Sequence, residues 1–412
     1  MPIIYMHGVN TRDPKHFAPV REYLQRIVAP TIAPDPDNVS IRSADWFQLC
    51  DEPKWGGISR PRTVLLGHGA QSERNELIDT IVENVPRVTA PTSSLTSGHA
   101  TSPGQTARID MLPDLDLADL IAVSAPTPDM DALQRARIGI SADRVARDPV
   151  VRDNLKAAKN LDDQLKIVAD AVRADVERQS TLVAAGALDV FRNMRDRVSE
   201  SISRTLSKPA VAATLLAGEL RPTLNDFVTR FLGDVLFYIT RRGLPGAPGS
   251  IPKVLLDELV TAQINKEARG GEPIVLLTHS MGGQIAYDVV TSFLPASRSS
   301  IKVDFWCATA SQVGFFEELN MFLASSKDFS KATGRKTPLF SNHLGHWWNV
   351  WDHNDFVSWS AKDIFEGVDD EGYNSGMFLV TAHGGYLELP SFFRKFAQKL
   401  ERAKAANWMR PA

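Results

Sequence analysis

One run of ten residues constrains this chain more than any other: Ile274-Val275-Leu276-Leu277-Thr278-His279-Ser280-Met281-Gly282-Gly283. Its first five residues are apolar or β-branched, which suits a strand buried on both faces. A serine follows closely, then two glycines, and Gln284 to Leu294 reads as a helix. A strand that passes into a helix through a serine has to turn sharply there. Such a turn is strained, and it stands the serine Oγ clear of the sheet. Small residues at 282 and 283 let strand and helix come close enough to make it.

Other segments fall into a related order. Ile3 to Met6 is a short apolar strand followed by His7-Gly8-Val9-Asn10. The run Val64-Leu65-Leu66-Gly67-His68-Gly69 repeats the pattern of strand and His-Gly. The first copy fits better because of what comes after it. Phe17 to Val28 reads as a helix, with Val20, Leu24 and Val28 at spacing four, and Val39 to Trp46 reads as the next strand. Beyond the serine, Val303 to Thr309, Trp347 to Trp351 and Met377 to Thr381 are further apolar runs, each predicted as a strand. The second leads into Asp352-His353-Asn354-Asp355-Phe356-Val357, and the third into Ala382-His383-Gly384-Gly385-Tyr386. The chain therefore carries serine, acid and histidine in that order.

These segments resemble the α/β-hydrolase superfamily, on its lipase and esterase side, over residues 1 to 50 and 230 to 390. Thr278 stands where that family's serine motif usually has glycine. The resemblance implies an α/β fold with a mostly parallel central sheet. It also implies roles: Ser280 as nucleophile forming an acyl-enzyme, His383 as base and then acid, and an aspartate to orient the imidazole. Asp355, in a D-x-V turn, is the preferred acid. Asp352, straight off its strand, is the alternative, and Asp304 is a distant third because it starts its strand. Two backbone N–H groups would hold the oxyanion, those of Met281 and Val9. His7 is expected to support its own loop, and His279 to pack beneath the serine turn.

Composition narrows the classes. The chain has 412 residues, 43% hydrophobic and 23% charged, with a net charge of −3. That balance, with a pI near 6.3, gives no electrostatic case for nucleic acid. Cys50 and Cys307 do not make a disulfide framework. His343, His346 and His353 flank the tryptophan-rich run, but their spacing matches no zinc motif, so neither metal nor cofactor is expected. No apolar run reaches the roughly 18 residues a membrane helix needs. The chain opens on a core strand, so no signal peptide is expected either. A cytoplasmic location is the expectation, with peripheral membrane contact left open.

The expected organisation is a core in two parts, residues 1–90 and 230–412, with an insertion at 91–229 placed before the serine turn. Residues 87–108 are rich in Ser, Thr, Pro and Gly and predict a flexible loop. Helical patterns follow from about residue 130. Leu161, Leu165, Val168, Val172 and Val176 form one stripe. Leu188, Phe191, Met194 and Val198 continue it, then Ala210 to Leu220. Phe227 to Thr240 and Leu255 to Lys266 are helices that return to the core. The insertion reads as a cap or lid over the site, against the alternative of a packing or oligomerisation module. The expected function is a serine hydrolase of carboxylic esters, with phospholipid, acylglycerol and small soluble esters all in range. Acyl transfer is a subsidiary option. The competing class is a hydrolase fold kept as a binding or scaffolding module, which the complete Ser, His and Asp set argues against.

Overall fold

The computed structural model describes residues 1–9, 11–51, 54, 108–126, 130–179, 228–339, 342–377 and 380–407. Its centre is a six-stranded sheet in the order β2-β1-β5-β6-β7-β8. The strands are β1 (Pro2–Met6), β2 (Ser40–Ser43), β5 (Val275–His279), β6 (Val303–Thr309), β7 (Leu344–Asp352) and β8 (Asp369–Tyr373). A two-residue ribbon, β3 (Gly243–Leu244) with β4 (Ala247–Pro248), lies apart from it. Every pairing in the central sheet is parallel. The molecule is an α/β protein.

Residue alternation explains the near-continuous apolar runs. Successive side chains of a strand point to opposite faces. Ile4, Met6, Leu276, Trp306, Ala308 and Trp347 join one core layer, while Ile3, Tyr5, Val275, Leu277, Phe305, Cys307, Trp348 and Val350 join the other. A strand covered on both faces has no solvent side, so its polar positions disappear. The first layer is closed by the helix at residues 228–241, by Ser250–Ala268, and by Met281–Asp288, which runs on to Ala296. We label these α6, α7 and α8; the short helix Val313–Glu318, which packs on the same layer, is α9. The second layer is closed by α1 (Phe17–Tyr23), which continues through wider turns to Ile32, and by α11 (Pro390–Ala405).

The helices predicted at 17–28, 227–240 and 255–266 are present, as are the strands at 3–6 and 303–309. The strand expected over 39–46 is the shorter β2. Of the strand expected at Met377–Thr381, residues 378 and 379 lie outside the described residues, and Val380 and Thr381 are not in a strand. Val380–Gly385 is instead a short helix (α10), and the sheet's last strand is the acidic segment Asp369–Tyr373. An apolar run that short cannot separate a buried strand from a buried helix. β8 escaped notice because it is an edge strand whose charges are satisfied sideways. Lys399 Nζ lies 2.7 Å from Asp369 and 3.2 Å from Glu371.

The described part of the insertion is four helices: α2 (Asp114–Ser124), α3 (Ala132–Arg147), α4 (Pro149–Ala157) and α5 (Leu161–Gln179). They bury a core of their own, with Leu165, Val168 and Val172 facing Leu117, Ile121 and Val145. The bundle rests on α1 and α11, on the flank of the sheet. Asp119 of α2 accepts hydrogen bonds from the amide and hydroxyl of Ser391, and burial pushes its pKa up to about 7. Asp143 of α3 pairs with Arg394. In these helices the stripe residues Leu165, Val168 and Val172 lie inside the bundle's own core. Leu165 is 1% exposed, so Leu165→Ala should cost about 2–5 kcal/mol of stability, read as a lower melting temperature. Residues 87–107 of the loop expected at 87–108, the second His-Gly copy at 67–69 and the stretches at 188–198 and 210–220 lie outside the described residues.

Candidate active site

The strand order positions the site. From β1 the chain moves outward to β2, whereas from β5 it moves the other way, to β6, β7 and β8. Loops leaving the carboxyl ends of β1 and β5 therefore diverge, and a parallel sheet opens a crevice where they part. His7-Gly8-Val9 leaves β1 there, and Ser280 leaves β5 there.

Ser280 has φ 52° and ψ −127°, a conformation that costs a residue with a Cβ about 1–3 kcal/mol. Neighbouring bonds impose it. The Ser280 N–H donates to the Thr309 carbonyl at 2.9 Å, and the Gly283 N–H donates back to the Ser280 carbonyl at 2.9 Å. Glycine is required on both sides of the turn. A Cβ on Gly8 would stand 2.5 Å from the Ser280 Cβ, and one on Gly282 would stand 2.6 Å from the Met6 carbonyl oxygen. Thr278, the departure from the family motif, has a use of its own. It is fully buried, and its hydroxyl accepts the Trp306 indole N–H at 2.9 Å.

Three residues predicted from the sequence come together. His383 Nε2 lies 2.9 Å from Ser280 Oγ, and His383 Nδ1 lies 2.9 Å from Asp355 Oδ2. The carboxylate accepts only, so Nδ1 carries the proton and Nε2 is left to accept from the serine hydroxyl. All three side chains are buried, with Ser280 at 0% exposure. Asp355 Oδ1 takes the Val357 N–H at 3.0 Å, and the Tyr386 hydroxyl donates to Oδ2 at 3.4 Å. Tyr386 was not singled out in the sequence, although it stands three residues after His383, one helical turn away. The acid loop is also tied to α8. Gln312 donates to the carbonyls of Ala310 and Val357, and the Gln284 amide donates to Gln312 Oε1.

The competing acids are placed elsewhere. Asp352 spends both oxygens on backbone, taking the Asn354 N–H at 2.8 Å and the Ser375 N–H at 2.6 Å. It clips the acid loop to the segment leading to His383. Asp304 sits at the opposite end of its strand, paired with Lys266 at 2.8 Å and bound to the Ile274 N–H.

The oxyanion candidates flank Ser280. Met281 opens α8, so its N–H has no partner within the helix and lies at the positive end of the helix dipole. Gly8 runs close to the serine, and Val9 is the residue that follows it. The loop is fixed by His7. The Trp46 backbone N–H donates to His7 Nε2 at 3.0 Å, so Nδ1 holds the proton and donates to the Gly8 carbonyl at 2.8 Å. The Trp46 indole donates to the His7 carbonyl at 2.8 Å, and the two rings stack 5.2 Å apart. Burial pulls the His7 pKa down to about 4, partly offset by the Gly8 carbonyl. Val9→Pro removes one donor and should lower kcat by about 10²–10³ for a chemistry that forms an oxyanion here. The check is ester turnover at matched circular dichroism.

His343, His346 and His353 are not gathered. The first meets the Ile301 carbonyl, the second Asp369 and the third the Trp351 ring. Among the described residues, His7, His16 and Asp45 are grouped closely enough to be considered for a metal. Both His7 nitrogens are already engaged with backbone, and His16 Nδ1 meets the Asp13 carbonyl. A cleft of about 260 Å³ lies beside β8 and α11, lined by Asp369, Glu371, Lys395 and Lys399, whose charges pair with one another. Among the described residues, no helix is long and apolar enough to cross a membrane. No family model, curated protein or solved structure matches the chain.

Proposed function

We propose that this protein is a serine hydrolase of the α/β-hydrolase type, acting on carboxylic esters through an acyl-enzyme. The observation that carries the reading is the unbroken chain Ser280 Oγ–His383–Asp355, with both bonds at 2.9 Å, ending on a serine held at positive φ. A structural serine gains nothing from so strained a backbone. A nucleophile gains access to a carbonyl carbon and an adjacent helix N-terminus.

The chemistry follows from the protons. His383 Nε2 takes the hydroxyl proton as Ser280 Oγ attacks, and Asp355 stabilises the imidazolium that forms. The tetrahedral oxyanion falls between the Met281 and Val9 amides. Collapse expels the alcohol, protonated by His383. Water then repeats the sequence on the acyl-enzyme, and a second alcohol in its place would give acyl transfer. Lipid and phospholipid esters belong to the substrate range to be tested.

The burial of Ser280 favours the second reading, a binding module that keeps the triad without using it. Fluorophosphonate labelling separates the two. A hydrolase should be labelled at Ser280, and a panel of short esters, long esters and phospholipids then grades the substrate. Absence of labelling and of turnover on the whole panel would leave the binding module.

A further inference from the structure

His279, the neighbour of the nucleophile, packs beneath the turn as the sequence suggested, and it does more than pack. Its Nε2 lies 2.6 Å from the backbone carbonyl oxygen of His383, and the two rings are 4.9 Å apart. A carbonyl accepts only, so Nε2 carries the proton. The acceptor belongs to the last turn of α10. The other side of the ring meets the oxyanion loop: a Cβ on Gly8 would stand 3.1 Å from His279 Nδ1. One imidazole thus touches the segments that carry the nucleophile, the base and an oxyanion amide.

We propose that His279 is a positioning residue whose imidazole ties the backbone of His383 to the nucleophile strand. The inference rests on the hydrolase reading above. Asp355 orients the His383 ring, but a ring can be well oriented on a backbone that drifts. α10 is short, and the tie from β5 stops that drift. Neutrality is part of the design. Burial, with His383 next in effect, pulls the pKa of His279 down to about 3. His279 therefore gains no charge while His383 becomes imidazolium beside it, and it keeps the one tautomer that donates to the carbonyl.

The test uses the full chain with two substitutions. His279→Leu removes the donor, and His279→Gln returns an N–H at nearly the same reach. With a short soluble ester, His279→Leu should lower kcat about 10- to 100-fold, the loss expected from a displacement of about 1 Å, with KM within about twofold. His279→Gln should recover most of it. Fluorophosphonate labelling should slow by the same factor in His279→Leu. Equal losses in both variants would reduce His279 to packing and overturn the tie, as would full kcat in His279→Leu. ¹⁵N-histidine NMR of the unmodified protein gives a reading independent of activity and of variant folding. The ring should stay neutral and Nε2-protonated from pH 5 to 8, and titration within that range would overturn the proposal. Failure of the unmodified protein to be labelled at all would count against the hydrolase reading instead, while the NMR result still judges the tautomer.

Discussion

Ser280→Ala should abolish fluorophosphonate labelling and lower ester turnover by about four to six powers of ten, the scale on which loss of a triad nucleophile is felt. The oxyanion amides and the binding surface survive the change, so a small residual rate over water is expected. Stability should hardly move, because alanine keeps the Cβ and hence the strain at φ 52°. Ser280→Gly separates the two properties. It should be as inactive as Ser280→Ala but more stable by about 1 kcal/mol, since glycine adopts positive φ at little cost. A melting temperature above that of the unmodified protein, together with lost labelling, would show that the turn holds strain for chemistry. Labelling that persists in Ser280→Ala would remove the nucleophile from Ser280.

The legible parts of this chain were those where one physical demand dominates. A strand buried on both faces must be apolar throughout, and β1, β5 and β6 were visible for that reason. A serine turn between strand and helix needs small neighbours, and Gly282 and Gly283 marked it. His383 was singled out by its Gly-Gly loop and Asp355 by its turn, and the fold brings the two within 2.9 Å of each other. The strand expectation failed at Val380 and Thr381, which open the helix bearing His383, because apolar content reports burial and not geometry. β8 was missed for the converse reason. Its acids are balanced by Lys395 and Lys399 from a helix more than twenty residues later in the chain, and no local pattern records a partner that distant. The insertion's stripe was read correctly as a buried face. What it buries against could not be read, because an amphipathic helix carries no mark of whether its partner is a sister helix or a substrate. His279, Tyr386 and Gln312 act through hydrogen bonds to groups brought near by folding, and such bonds leave no spacing in the sequence.

The two aspartates of the acid loop should separate by orders of magnitude. Asp355→Asn should lower kcat by about 10⁴. The reason is the direction in which the new amide must face. The Val357 N–H already occupies Oδ1 at 3.0 Å, so the asparagine carbonyl stays there and its NH₂ replaces Oδ2, against His383 Nδ1 and the Tyr386 hydroxyl. A donor at that point forces His383 into the opposite tautomer, with the proton on Nε2. The ring then donates to Ser280 Oγ and cannot take its proton. Asp352→Asn meets a different environment. Both of its oxygens receive backbone N–H groups, from Asn354 and Ser375, so one of the two must face the new NH₂. The expected result is a loss of about 1–3 kcal/mol in stability from the mismatched buried pair. kcat should fall by no more than about tenfold, because His383 keeps its carboxylate and thereby its tautomer. Turnover beside melting temperature for each variant tells the roles apart: Asp355→Asn inactive and stable, Asp352→Asn active and weakened. The reverse ranking would transfer the acid's role to Asp352, the alternative that stands straight off β7.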